Sequence, residues 1–385
     1  MKRIPANRNG ELDLLKFIFS IIIIIHHSSS MFNGVQYFYR YGSLAVEFFF
    51  IVSGYLFAVS VIKNKKPYSK ENIGSETASF IFKKLYGLWF FFIFAAVLRL
   101  IANMVYQGAG TVFQNKYFST ILFDLFFGDM SGIKTYSIIG PAWYISAMLL
   151  AMAVLYPIFR KNNDLFISLI APLTAFMLYG IMMIKDGNLT GPKFVYGVLY
   201  KGVIRAFAGL CLGCLVYRIS EKMKTNPVLT QSGKKVSHIL SVVEIIAVGL
   251  SIWGMSQLTK DTFCTEPVIV LGFAITAAIC ASKMSSISAF FQYDVFSYLG
   301  KLSMTVFLCH SPVIGFMYTV FDKCKFLSDI RETAAGRWAL VVWLVIASVL
   351  LGMLCLKVCE PFKKKVDLWY QNKKALAEEK IYSEV

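Results

Sequence analysis

The sequence has few charged residues for its length. Only 16% of its 385 residues are charged, whereas a typical soluble domain has about 25%. So low a charge content excludes a disordered chain, which would be polar and highly charged, and it argues against an ordinary soluble globule. Apolar residues make up 57% of the chain, and they form blocks near the length that crosses a bilayer as a helix. The composition therefore predicts an all-α polytopic membrane protein, a single bundle without a soluble domain.

Acidic residues are the scarcer kind of charge. Lys and Arg number 39 against 22 Asp and Glu, which gives a formal net charge of +17. Such a balance in a soluble protein would suggest nucleic acid as a partner. Here the basic residues lie between apolar blocks, so membrane topology and anionic lipid headgroups account for them better. We expect membrane lipids, and no nucleic acid, as partners.

Three further features are missing from the sequence. The first apolar stretch ends in HHSSSMFNG without a small-x-small cleavage site, so we expect an uncleaved first span. The CxxC formed by Cys211 and Cys214 lies inside an apolar block without further ligands nearby, which disfavours a zinc or redox site. No unit of 20–50 residues repeats along the chain. The sequence therefore predicts neither a bound metal nor a repeat architecture.

Ten apolar segments are long enough to span a membrane. They cover roughly 12–32, 43–62, 80–104, 138–159, 164–184, 195–217, 238–257, 264–282, 297–320 and 337–357. The aromatic segment 117–128 is too short to span, so we expect it to lie in the interface or to re-enter the membrane. We assign residues 1–362 to the transmembrane bundle and 363–385 to a short basic cytoplasmic tail.

The distribution of basic residues predicts the topology. With the N-terminus in the cytoplasm, the inner segments hold more than twice as many Lys and Arg residues as the outer ones. This bias is typical of cytoplasmic loops. A ten-span, multi-pass protein with both termini in the cytoplasm follows from this count.

Two ionisable residues of the first span share one helix face. Lys16 and His27 are eleven residues apart, which is three helical turns and about 16 Å along the axis. Ionisable groups inside a span are costly, so this face is expected to look into the bundle. Lys16 could instead snorkel to the inner headgroups, and His27 could be a hydrogen-bonded structural histidine.

Glu47 lies about one turn from the outer end of the second span, close to the predicted depth of His27. A carboxylate that orients an imidazole is a standard arrangement for a general base. We therefore predict His27 and Glu47 as catalytic residues, with His27 as the base. The alternative for Glu47 is a structural carboxylate satisfied by other polar groups.

Other ionisable residues are candidates for binding. Lys83 and Lys84 stand at the predicted cytoplasmic mouth of the third span, and with Lys16 they suit a polyanion such as a nucleotide or coenzyme A. Contact with lipid headgroups is the alternative. Three further candidates lie within spans, and each of them could instead serve packing or charge pairing. They are Arg99, Arg205 and His310.

Five segments together resemble the acyltransferase-3 family of integral-membrane O-acyltransferases. In chain order they are the Lys16 to His27 spacing, VEFFFIVSGYL with Glu47 and Ser53-Gly54, GPAWYISAMLL with Trp143, YLGKLSMTVFLCHSPV with His310, and CEPFKKK with Glu360. Each segment alone is only weak support for the resemblance, but five of them in this order within a ten-span protein are strong support for it. One departure concerns the paired arginines that often follow the second helix, since Gly87 stands where the second would fall.

The resemblance implies a membrane enzyme that transfers an acyl group, usually acetyl, from an acyl-CoA co-substrate to a hydroxyl of a sugar or glycan. It also implies that the first-helix histidine carries the chemistry, that no cofactor is bound, and that the protein lies in a bacterial cell membrane. The rival interpretation is a secondary transporter that exports a glycan or an anionic substrate, which would need similar intramembrane charges. The acceptor and the oligomeric state stay open.

Overall fold

The chain folds almost entirely into helices. The computed structural model describes residues 3–5, 8–114, 123–133, 137–231, 233–257 and 265–383. Within these residues ten helical segments are long and apolar enough to cross a membrane, which confirms the predicted fold class and number of spans. Of the aromatic segment 117–128, residues 117–122 lie outside the described residues, so its interfacial placement stays a prediction.

The ten long helices follow the predicted spans closely. They are α1 Gly10–His27, α2 Ala45–Ile62, α3 Ile73–Gln107, α4 Trp143–Lys161, α5 Ala171–Asp186, α6 Lys201–Thr225, α7 Gly233–Gln257, α8 Thr265–Ser282, α9 Asp294–Lys323 and α10 Ala334–Ser383. A helical turn at Asn163–Leu165 and a π-helical turn at Phe166–Ile170 lead into α5. Two short strands, β1 Val195–Tyr196 and β2 Leu199–Tyr200, form an antiparallel hairpin between α5 and α6.

The last helix is much longer than a membrane span requires. Helix α10 continues without a break through Pro361 and ends at Ser383. The described part of the predicted tail, residues 363–383, is thus the continuation of α10. Within α10, the segment Ala334–Asn372 contains a stretch that is long and apolar enough to span a membrane.

Helix α1 has well-defined ends. The Asn9 side chain caps its start by accepting a hydrogen bond from the amide of Leu12 at 3.0 Å. Glu11 and Asp13 occupy the first turn, where negative charge suits the helix dipole. Beyond His27 the chain tightens into a 3-10 helix over Ser28–Phe32. Lys16 therefore lies near the start of α1, and His27 is its last residue.

Helices α2 and α6 approach each other at glycine. A Cβ atom built on Gly54 would lie 2.7 Å from the Cα of Leu210, and one built on Gly213 would lie 2.7 Å from the Cα of Gly54. Backbone atoms cannot move aside as a flexible side chain can, so only glycine fits at these two positions. Gly54, the second residue of the Ser53-Gly54 pair, therefore allows α2 and α6 to approach closely.

Helix α1 packs mainly against α9. At Gly300 an added Cβ would overlap the side chain of Asp13, lying 2.6 Å from its Cβ. We call the end of the bundle that holds Asp13, Lys301 and Glu360 the terminal face, and the opposite end, where α1 ends at His27, the far face. The α1–α9 contact brings together the two helices that carry His27 and His310.

Candidate active site

Two histidines from distant parts of the chain meet near the far face. The ring centroids of His27 and His310 are 5.0 Å apart, and the ring of Phe307 lies 5.9 Å from that of His310. His27 is partly accessible, whereas His310 is 1% exposed. Nδ1 of His310 has no hydrogen bond of good geometry among the described residues. The structure thus joins two sequence candidates into one imidazole pair.

The orientation of His27 is set by the backbone of its own helix. Its Nδ1 lies 2.8 Å from the carbonyl oxygen of Ile23. A carbonyl oxygen can only accept, so Nδ1 carries the proton and donates it to this bond. In the neutral ring Nε2 is then unprotonated and available as an acceptor. This is the tautomer that a general base acting through Nε2 requires.

Arg99 stands beside the histidine pair. Its Nη1 donates a hydrogen bond to the carbonyl oxygen of Ser311, the neighbour of His310, at 2.7 Å. A Cβ built on Gly315 would lie 2.5 Å from the same Nη1 atom. Gly315 therefore makes the room in which the guanidinium reaches α9. Of the sequence candidates, Arg99 joins His27 and His310 in one region.

Glu47 does not pair with His27, which corrects the pairing that the sequence suggested. Its Oε1 accepts a hydrogen bond from Nε of Arg205 at 2.6 Å, and its Oε2 accepts one from the hydroxyl of Tyr179 at 2.7 Å. Glu47 and Arg205 are both fully buried. A buried carboxylate binds the nearest full positive charge in preference to a neutral imidazole, so Arg205 takes the role of partner and the Ile23 carbonyl orients His27.

Trp143 belongs to the same buried ion pair rather than to the histidine pair. The guanidinium of Arg205 lies 5.2 Å from the centre of the Trp143 ring, a cation–π distance. Nη2 of Arg205 also donates to the carbonyl oxygen of Ser43 at 3.3 Å. Glu47, Arg205 and Trp143 thus tie α2, α6 and α4 together inside the bundle.

A cavity of about 350 Å³ lies between the terminal face and the histidine pair. Polar residues line one part of it, among them Lys16, Lys301 and Glu360, and aromatic residues line another, among them Phe49 and Phe307. Because Phe307 also packs on His310, the aromatic part of the cavity adjoins the imidazole pair. A slender molecule entering past the polar part would point its tip toward the histidines.

The lysines predicted for donor binding line this cavity or its neighbour. Lys83 and Lys84 line an adjoining cavity of about 310 Å³, which shares Ser53, Leu88 and other residues with the first. Lys16 lines the first cavity and forms an ion pair with Asp13, which also binds Arg8 at 2.7 Å. The three lysines therefore line two neighbouring cavities that share part of their walls.

Two features of the site escaped the sequence analysis. Tyr144 lines the 350 Å³ cavity, and its hydroxyl lies 2.9 Å from the Ser53 hydroxyl. The segment GPAWYISAMLL contains both Trp143 and Tyr144, and its sequence alone does not show which of the two side chains lines the cavity. The ion pair of Lys301 with Glu360, 2.8 Å long, also lines the cavity. A charged side chain inside the ninth predicted span is costly, and this is the feature of the sequence that could have identified Lys301 as a candidate.

Comparison with known proteins gives the chain its family. The sequence model of the acyltransferase-3 family, described as an acyltransferase domain, matches residues 9–357. No curated protein and no solved structure matches the chain. The match extends from the residue that caps α1 into α10, so it includes both histidines and all but one of the residues that line the two cavities, the exception being Glu360. The chain belongs to the acyltransferase-3 family of membrane acyltransferases.

Proposed function

We propose that this protein transfers an acyl group from acyl-CoA to a hydroxyl of a sugar or glycan acceptor, with His27 as the base. The observation that carries the proposal is His27 itself. Its Nδ1 is held by the Ile23 carbonyl, which leaves Nε2 as an acceptor, and its ring lies 5.0 Å from that of His310. The His310 ring in turn packs on Phe307, which lines the cavity that extends from the terminal side. Acetyl is the expected acyl group, because it is the usual one in the family.

The proposed chemistry is an acyl transfer assisted by a general base. Nε2 of His27 takes the proton of the acceptor hydroxyl while the hydroxyl oxygen attacks the carbonyl carbon of the thioester. The carbon–sulfur bond then breaks, and the CoA thiolate leaves and takes the proton back from the imidazolium. A variant of this route has Nε2 attack the thioester first and form an acyl-histidine, from which the acceptor then takes the acyl group.

The shape and charge of the cavities support a CoA thioester as the donor. The nucleotide phosphates would lie near Lys83, Lys84 and Lys16, since ammonium groups bind phosphate as point charges. The thiol arm would extend along the apolar residues of the 350 Å³ cavity toward Phe307, which packs on His310. We propose a cell-membrane location with the terminal face in the cytoplasm, which is where acyl-CoA is available and where basic residues are enriched.

The decisive experiment compares acyl-CoA turnover by the detergent-purified wild type and the His27→Ala variant. A general base contributes about 10²- to 10⁴-fold, so His27→Ala should lose nearly all release of free CoA while its thermal unfolding stays unchanged. The exposed His238 offers a matched control, and His238→Ala should retain wild-type turnover. A folded, active His27→Ala variant would remove His27 from the mechanism, and a folded wild type without turnover on any acyl-CoA and glycan would favour transport instead.

The two routes differ when the acceptor is withheld. A covalent relay releases CoA in a rapid burst equal to the amount of enzyme and leaves labelled acyl group on the protein. Direct transfer gives no such burst. A panel of acyl-CoAs of increasing chain length, run with the same protein, identifies the donor.

A further inference from the structure

Two buried carboxylates and a thiol converge near the terminal face, away from the histidine pair. Glu11 of α1, Glu244 of α7 and Cys280 of α8 can each offer one ligand atom such that the three atoms lie within 4.8 Å of one another. Glu11 and Glu244 are 3% exposed and Cys280 is fully buried. The function proposed above uses none of these three residues.

Two carboxyl groups lie side by side in this cluster. Among the residues that the structure describes, neither Glu11 nor Glu244 has an ion-pair partner. Within the part of the chain that the structure describes, each glutamate also leaves one buried oxygen without a well-formed hydrogen bond, Oε1 of Glu11 and Oε2 of Glu244. A buried, unpaired carboxylate is costly, and two beside each other are costlier still. A group that binds to both would remove that cost.

The remaining contacts of the cluster hold its side chains in place. The hydroxyl of Ser288 donates to Oε2 of Glu11 at 2.6 Å, and the thiol of Cys280 donates to Oε1 of Glu244 at 2.7 Å. The carbonyl oxygen of Cys280 accepts a hydrogen bond from the side chain of Asn9, the residue that caps α1. Metal ligands in proteins are commonly fixed by hydrogen bonds of this kind.

We propose that Glu11, Glu244 and Cys280 bind a zinc ion. A thiolate beside carboxylates favours zinc over calcium or magnesium, which prefer oxygen ligands alone. Bond lengths of 2.0–2.3 Å place zinc ligands roughly 3.3–3.8 Å apart, and small side-chain rotations reach this from the observed spacing. On binding, the Cys280 thiol releases its proton to solvent, and the orphan oxygens of both glutamates turn to the metal.

The proposed ion would fix the start of α1 against α7 and α8. Because α1 also carries Lys16 and His27, zinc would maintain the position of the helix that leads to the candidate active site. The ion is far from the imidazole pair along α1 and takes no part in the acyl transfer. Loss of the zinc ion should therefore lower the stability of the protein before it affects acyl transfer. The proposal does not depend on the reaction proposed above.

The first test is the zinc content of the full-length protein purified in detergent through a tag that binds no metal, measured by mass spectrometry. Wild type should contain stoichiometric zinc. Glu244→Gln and Cys280→Ser should contain almost none, and Ser288→Ala should bind zinc about 10- to 100-fold more weakly. Cys211→Ser, which alters another buried cysteine, is the matched control and should keep its zinc.

A second test keeps the proposal falsifiable if a variant folds poorly. A chelator should lower the thermal unfolding temperature of wild type, and added zinc should restore it. Cobalt offered to the stripped wild type should give a thiolate-to-cobalt charge-transfer band that Cys280→Ser lacks. Wild type that carries no zinc, binds no cobalt and is indifferent to the chelator would overturn the site and show that the two carboxyl groups instead share a proton.

Discussion

The rings of His27 and His310 face each other at 5.0 Å, but their hydrogen bonding differs. His27 is fixed through Nδ1 by the Ile23 carbonyl, whereas the ring of His310, among the residues that the structure describes, makes only weaker contacts with the backbone of Val306 and Phe307. The first ring therefore has a defined tautomer and a free Nε2, as a base needs. The second ring is more deeply buried and limits the space available to the first.

This difference predicts unequal effects of removing the two rings. His310→Ala should slow acyl-CoA turnover by about 100-fold or less, because misplacement of a reacting group costs up to that order while the base and its Ile23 bond stay in place. His27→Ala should be far slower. Turnover numbers and Michaelis constants of both purified variants provide the measurement.

His310→Gln serves as the conservative control. A glutamine keeps a polar side chain of comparable reach beside His27, so it should recover part of the turnover number that alanine loses. If His310→Ala is as inactive as His27→Ala and glutamine recovers nothing, both imidazoles take part in the chemistry.

The paired lysines of α3 should affect the affinity for the donor rather than the rate of the chemical step. We expect Lys83→Ala with Lys84→Ala to raise the Michaelis constant for acyl-CoA about tenfold, the size of one charged hydrogen bond, with little change in turnover number. Both lysines line the cavity that adjoins the thioester path. Steady-state kinetics over a range of acyl-CoA concentrations measure the effect.

Acyl-pantetheine separates phosphate recognition from other causes. It lacks the nucleotide, so its Michaelis constant should be the same in the wild type and in the double variant. The exposed loop residues Lys65 and Lys66 provide a matched pair, and their replacement by alanine should leave both donors unaffected. An equal loss with both donors would mean that the α3 lysines maintain the fold instead.

Local pattern predicted much of the fold. The number of spans follows from runs of apolar residues, and the placement of Lys16 and His27 on α1 follows from helical periodicity. The Ser53-Gly54 pair likewise indicates a site of close helix approach, because a residue without a Cβ leaves room for a neighbouring backbone. Each of these properties depends on residues close together in the sequence.

The partners across the bundle could not be predicted in the same way. Glu47 and His27 were expected to meet because both lie near the outer ends of consecutive spans. The neighbour of Glu47 is instead Arg205, which lies on α6, far along the chain. Which helices pack together depends on the fit of whole helix faces. The similar depth of Glu47 and His27 in the membrane was therefore not enough to predict that they would be in contact.

Gly315 should be needed for the position of Arg99. In Gly315→Ala the new Cβ would lie 2.5 Å from Nη1 of Arg99 and 3.1 Å from the Cβ of Ala102. The guanidinium should leave the Ser311 carbonyl next to His310, and overpacking should cost about 1–3 kcal/mol. We expect a lower unfolding temperature and reduced acyl-CoA turnover.

Gly249 of α7 is the matched control for this substitution. A Cβ at Gly249 meets nothing within 4 Å, and alanine in a helix interior is favoured over glycine by roughly 0.5–1 kcal/mol. Gly249→Ala should therefore be neutral or slightly stabilising, with full turnover. Equal losses in the two variants would show that helical glycine itself, rather than the space for Arg99, is what matters.

The buried pair of Glu47 and Arg205 should contribute to stability through mutual neutralisation. Removing one partner strands the other charge in the bundle, so Glu47→Gln or Arg205→Met should each lower stability by about 3–5 kcal/mol. The double variant leaves no stranded charge and should regain a large part of that loss. Thermal unfolding of all four proteins in the same detergent forms a complete double-mutant cycle. If Glu47 instead oriented His27, Glu47→Gln would unfold at the wild-type temperature yet lack turnover, and Arg205→Met would not compensate for it.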